Sequence, residues 1–230
     1  MRRYFSVTGG TVLAGLLAFL AGTADGASQP KRVAFRVTLN ATVTKDWNSV
    51  IDSIENGCPI SQRSVGRRIV RLRSARPTTV LVTLGNGRVS YSPAVVRYVR
   101  AELSLSGSRT TTVQAPCNPR TTHTRCTHLR RAVGGWRFGF FRSARNEISF
   151  RSARLPAFSM ACPRESSGVR GIRPGLQDAQ GELSEPALMN PRTPTQTAIG
   201  TSEVETDLEG AETGRVVERV RWELTFTRKR

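Results

Sequence analysis

The chain has 230 residues, with 35 Lys and Arg against 17 Asp and Glu and a net charge of +18. Hydrophobic residues make up 38% of it, and its length allows a sizeable core to be buried. Its two histidines are His123 and His128, and no acidic residue stands between Glu102 and Glu147, which excludes a local Ser-His-Asp or H-E-x-x-H arrangement.

Read in chain order, Arg2 and Arg3 precede an uncharged apolar run over residues 11–22. This is the layout of a secretory signal peptide, with Gly22 and Ala24 at its small-residue cleavage site. Residues 1–24 are expected to be removed, leaving a secreted or extracytoplasmic single domain over residues 25–230. The run is shorter than the roughly 20 residues that span a bilayer, and no second such run follows, so no transmembrane segment is expected in the mature chain.

Val33, Phe35, Val37, Leu39, Ala41 and Val43 alternate with polar residues, which predicts a half-buried strand. Residues 45–59 read as an ordered loop tied down by Trp47 and Cys58. Short strands are expected at residues 67–73, at 78–84, and at 88–92 beyond a hairpin signal at 85–87. Val99, Ala101, Leu103 and Leu105 again alternate, and residues 108–116 would form a short partner. Residues 117–128 read as an Arg-rich loop. Trp136, Phe138 and Phe140 then share a face, and one more strand is expected within residues 146–156.

From Cys162 to about Pro194 the composition turns to Gly, Pro, Ser and Glu, which reads as a loop-rich insertion, about 163–195, that Leu176, Leu183 and Leu188 pin in part. The end reads as a hairpin centred near residue 212. That centre lays Glu205 opposite Arg219 and Glu203 opposite Arg221. The fold class expected is all-β: an antiparallel β-sandwich or partly open barrel of about eight to ten short strands, with long loops and disulfides.

Four cysteines in an exported chain suggest disulfides, and three pairings are possible. Sequence proximity favours Cys117 with Cys126, leaving Cys58 for Cys162. A Cys117/His123/Cys126/His128 zinc site has the wrong spacing, so no metal is expected. No cofactor is expected either. The acidic run Glu203–Glu212 lacks a calcium-loop pattern and suits a salt-bridged strand instead.

Charge divides along the chain: residues 27–164 hold 24 basic and five acidic residues, residues 165–226 six basic and 11 acidic. Export and inward-facing aromatics argue against nucleic acid. The basic half points instead to an anionic cell-surface polymer or lipid head groups, met by Arg67, Arg68, Arg71, Arg73, Arg137 and Arg142. The leading expectation is a non-enzymatic structural or binding protein at the cell envelope. A secreted hydrolase is the alternative, and it would gather some of His123, His128, Glu55, Glu102 and Glu147 into a concave pocket. A protease inhibitor would present Arg120 and Arg125 on a Cys117–Cys126 loop.

The first strand, the Cys58 segment running into residues 66–82, the segment at 158–163 and the closing strand at 221–228 together resemble uncharacterised exported all-β proteins of GC-rich bacterial genomes. The resemblance implies an exported β-sandwich-like fold and brings no activity with it.

Overall fold

The computed structural model describes residues 30–85, 87–151, 155 and 165–230, and within 126–132 the backbone alone. The expected signal peptide and Cys162 lie outside the described residues, as do the side chains of Cys126 and His128.

The fold is all-β, as its alternating sequence requires. Among the described residues ten strands form one antiparallel sheet: β1 (Lys31–Glu55), β2 (Cys58–Ser74), β3 (Thr78–Gly85), β4 (Arg88–Ser92), β5 (Val95–Val113), β6 (Arg120–Arg142), β7 (Glu147–Phe150), β8 (Gly181–Glu182), β9 (Thr195–Leu208) and β10 (Glu212–Arg228). Neighbours run β10-β9-β8-β7-β6-β5-β2-β1, and β1 pairs back onto β10, so eight strands make a ring. On the edge away from β10, β1 pairs with β3 over Lys31–Val37 and with β2 from Asn40 onward. The β3–β4 hairpin therefore branches off one end of the ring.

The strand count matches the sequence reading, but the strands are longer than expected. β1 has 25 residues and β6 has 23. Residues 45–55, read as a loop, continue β1; residues 108–113 continue β5; and 120–128, read as an Arg-rich loop, lie in β6. Asn56 and Gly57 join β1 to β2 with φ of 51° and 78°, the positive pair that a two-residue hairpin turn requires. That turn replaces the expected loop.

Alternation sets the core. Phe35, Val37, Leu39, Ala41 and Val43 of β1 face inward against Val70 and Leu72 of β2, Leu103 of β5, Phe138 and Phe140 of β6, and Trp222, Leu224 and Phe226 of β10. Phe35, Tyr91, Phe140 and Phe226 meet at centroid distances of 5.6–6.2 Å, mostly edge to face. The segment 165–194 carries α1 (Ser167–Gly171), a 3-10 turn (Leu176–Asp178), β8 and α2 (Glu185–Met189). Leu176, Leu183 and Leu188 are buried in the main core, at 0–1% exposure. Val169 joins Trp47 and Val216 in a second, smaller cluster.

Candidate functional site

Two hairpin tips are stapled together. Cys58 follows the β1–β2 turn and Cys117 lies in the β5–β6 turn, and the two form a disulfide with Cα atoms 5.6 Å apart. This corrects the expected Cys117–Cys126 and Cys58–Cys162 pairings. Cys126 lies opposite Gly107 within β6, six residues beyond Arg120. At about 3.3 Å per residue it is roughly 20 Å up the strand from the tip, far outside disulfide reach. The Cys/His metal quartet loses Cys117 to the disulfide, and the expected bait loop becomes strand, with Arg120 and Arg125 both standing on β6.

The residues named for catalysis are dispersed. Glu55 ends β1 at the hairpin tip. His123 stands on the exposed arm, its Nδ1 2.9 Å from Thr110 Oγ1. Glu102 lies near Arg71 on the outer face, at 3.7 Å. Glu147 accepts from Ser143 Oγ at 3.4 Å, at the start of β7. Among the described residues no three His, Cys, Asp or Glu side chains gather as a metal-binding group.

A polar layer separates the two core clusters. Lys45 is 2% exposed, and its ammonium lies 2.9 Å from Glu165 Oε2, 2.9 Å from the Val169 carbonyl and 3.2 Å from that of Ile172. Burial lowers its pKa, and Glu165 opposes that shift. With its three N–H groups directed at three acceptors, Lys45 pins the 165–172 segment rather than acting as a free amine. Glu218, opposite Lys45 on β10, has its pKa raised, first by burial and then by Asp178.

The outer face separates the six arginines named from sequence. Arg68 turns inward and lies 3.8 Å from Glu165; Arg142 binds Glu185 at 2.7 Å. Both support the fold and are corrected as surface contacts. Arg67 binds Asp46, and Arg71 lies near Glu102. Arg73 and Arg137 are exposed. Arg73 lies directly opposite Arg100 across the β2–β5 ladder, and both are exposed with no carboxylate partner among the described residues. Like charges so placed destabilise a sheet. Sequence reasoning missed Arg100 because its relevance depends on the register.

Further along the same face is a hollow of about 980 Å³. The β5–β6 ladder slips register between Leu105 and Gly107, and Gly107 lies opposite Gly66 of β2. A bulge beside two residues without side chains bends the sheet, which dishes its outer face. Arg67, Arg125, Arg215 and Arg219 line the hollow, with Asp46 as the one carboxylate among its described lining residues. Arg67 reaches Asp46 through two nitrogens, at 2.5 and 3.2 Å, and Arg219 reaches it at 2.9 Å. Arg125 is exposed and unpaired among the described residues.

The acidic run of β9 lies beside this hollow. Arg219 pairs across the ladder with Glu203 and bonds it at 3.0 Å, while Arg215 bonds Glu205 at 2.8 Å. The expected register is thus two residues off, although the faces are as expected. Compared with protein-family models, curated proteins and solved structures, the chain matches none. No helix among the described residues is long and apolar enough to cross a membrane.

Proposed function

We propose that this is an exported, non-enzymatic binding protein of the cell envelope that attaches to anionic surfaces through the arginines of its outer sheet. The observation that carries the reading is the Arg73–Arg100 pair, two exposed guanidinium groups in register with no carboxylate between them. An arrangement that costs the folded sheet stability suits a surface whose negative partner comes from outside. The disulfide between the hairpin tips is compatible with an oxidising compartment.

The test is co-sedimentation of the full chain with phosphatidylglycerol vesicles, phosphatidylcholine vesicles and polyphosphate-coated beads, at low and high salt. Retention on one of the two anionic supports, lost in high salt and in Arg73→Glu/Arg100→Glu, is expected. The two supports separate a lipid from a polymer target. Equal retention on phosphatidylcholine, retention that ignores the charge reversal, or no retention on either anionic support overturns the proposal. N-terminal sequencing of protein recovered after export tests its first half, with Asp25 as the expected first residue.

A further inference from the structure

We infer that the hollow beneath Arg67, Arg125, Arg215 and Arg219 is a second site, distinct from the Arg73–Arg100 surface, and that it binds a linear carboxylated polysaccharide. Asp46 indicates the ligand chemistry. Its carboxylate is held by Arg67 through two nitrogens and by Arg219 through a third, so the hollow already contains a worked example of carboxylate recognition by two guanidinium groups. Arg125 presents the same group with no partner among the described residues.

The dimensions suit a chain rather than a small anion. Arg215 pairs with Asn48, Asn48 with Val65, Val65 with Ser108, and Ser108 with Arg125. The two arginines therefore stand four strand spacings apart in one row, about 19 Å at 4.7–4.9 Å per spacing. A polymer crossing the strands would meet the unpartnered Arg125 guanidinium at one end of that row and, at the other, Arg215, which already bonds Glu205 at 2.8 Å. Between them it would meet the Asn48 amide and Ser108 hydroxyl, groups that hydrogen-bond sugar hydroxyls.

The lining also discriminates against nucleic acid. Among the described residues Trp47 is the one aromatic that borders the hollow, and its side chain is buried on the opposite face, bonded through Nε1 to Ser64 Oγ at 3.1 Å. Among the described residues no ring is offered on which a base could stack. The site lies six to eight residues along β1 from the Arg73 row, since Arg73 pairs with Asn40 whereas the hollow centres on Asp46 and Asn48.

The experiment is calorimetric titration of the full chain with polygalacturonate, neutral dextran, polyphosphate and single-stranded DNA in the same buffer. Polygalacturonate is expected to bind, dextran not to bind, and polyphosphate and DNA to bind at least tenfold more weakly. Arg125→Gln should weaken polygalacturonate about tenfold, the loss of one charge-assisted contact. Arg125 is exposed and unpartnered, so its replacement leaves the fold intact, and Arg88→Gln on β4 serves as the unaffected control.

Polygalacturonate no tighter than dextran, DNA or polyphosphate tighter than polygalacturonate when Arg73 and Arg100 are both replaced by Glu, or an Arg125→Gln variant indistinguishable from the parent overturns the inference. If polyphosphate binds through Arg73 and Arg100 while polygalacturonate does not bind, this site falls and the surface-attachment reading stands. If no anionic probe binds, this site falls, and the surface-attachment reading is then decided by the vesicle arm of its own test.

Discussion

Lys45 Nζ lies 2.9 Å from Glu165 Oε2, joining the inner face of β1 to the 165–172 segment. The two side chains are 3% and 12% exposed, so each charge depends on the other for solvation. Lys45→Met would leave Glu165, among the described residues, with only Arg68 at 3.8 Å and free the Val169 and Ile172 carbonyls. Breaking one side of a buried pair costs about 3–5 kcal/mol. Denaturant unfolding should show a loss of that size for Lys45→Met and a smaller one for Lys45→Met/Glu165→Gln, which removes both charges. A single variant as stable as the parent would mean that the pair does not hold the segment.

Glu218 makes stability depend on pH. Burial and Asp178 raise its pKa above the ordinary 4.5, and Lys45 pulls it partly back. The folded protein therefore holds this proton more tightly than the unfolded chain does. The stabilisation is fully present below pH 4.5 and is lost as pH rises through the folded value. Glu218→Gln should accordingly raise stability at pH 7 and lose its advantage below about pH 4. Thermal unfolding of both proteins across that range checks the crossover, and an advantage that grows on acidification would reverse the assigned sign.

Much of this interior was legible in the sequence, because alternation at period two assigns faces. Phe35 to Val43, Phe138 and Phe140, and Val220 to Phe226 point inward as their spacing requires. The same rule already separates the arginines. Arg68 shares parity with Val70 and Leu72, and Arg142 with Phe138 and Phe140, so both belong inside. Lys45 likewise sits between Val43 and Trp47. What alternation could not supply was strand length. The polar, Thr-rich ends of β5 and β6 have no apolar face to advertise them, yet they pair over Gly107–Val113 with Arg120–Cys126. The one available signal, Asn56-Gly57, is a two-residue hairpin turn that would have extended β1 and β2 to their full length. The Arg73–Arg100 juxtaposition and the Asp46 cluster depend on register between distant strands, which no local pattern encodes.

The Cys58–Cys117 bridge closes a sequence separation of 59 residues. A loop of that size gives about 4 kcal/mol on the chain-entropy scale. Non-reducing peptide mapping should recover Cys58 and Cys117 in one cross-linked species. Cys58→Ser/Cys117→Ser should lower unfolding stability by about 2–4 kcal/mol while keeping the β-rich circular dichroism spectrum, since the main core lies away from the tips. A map that joins Cys117 to Cys126 would instead require the two-hairpin arm to be rebuilt.

Trp47 and Gly66 make the sharpest test of register. They pair directly across β1 and β2, and the indole lies over the glycine on the inner face. A Cβ added at Gly66 would fall well inside contact distance of Trp47 Cζ2, and the ring cannot retreat easily because Nε1 is tied to Ser64. Overpacking of this kind costs about 1–3 kcal/mol. Gly66→Ala should therefore be destabilising in the parent and much less so in a Trp47→Phe background, where the smaller ring leaves room. Gly171→Ala, whose added methyl meets nothing within 4 Å, is the comparator and should change stability by less than about 0.5 kcal/mol. Equal losses for Gly66→Ala in both backgrounds would show that the indole does not cover Gly66, and the β1–β2 register that places Asp46 beside Arg67 would need to be redrawn.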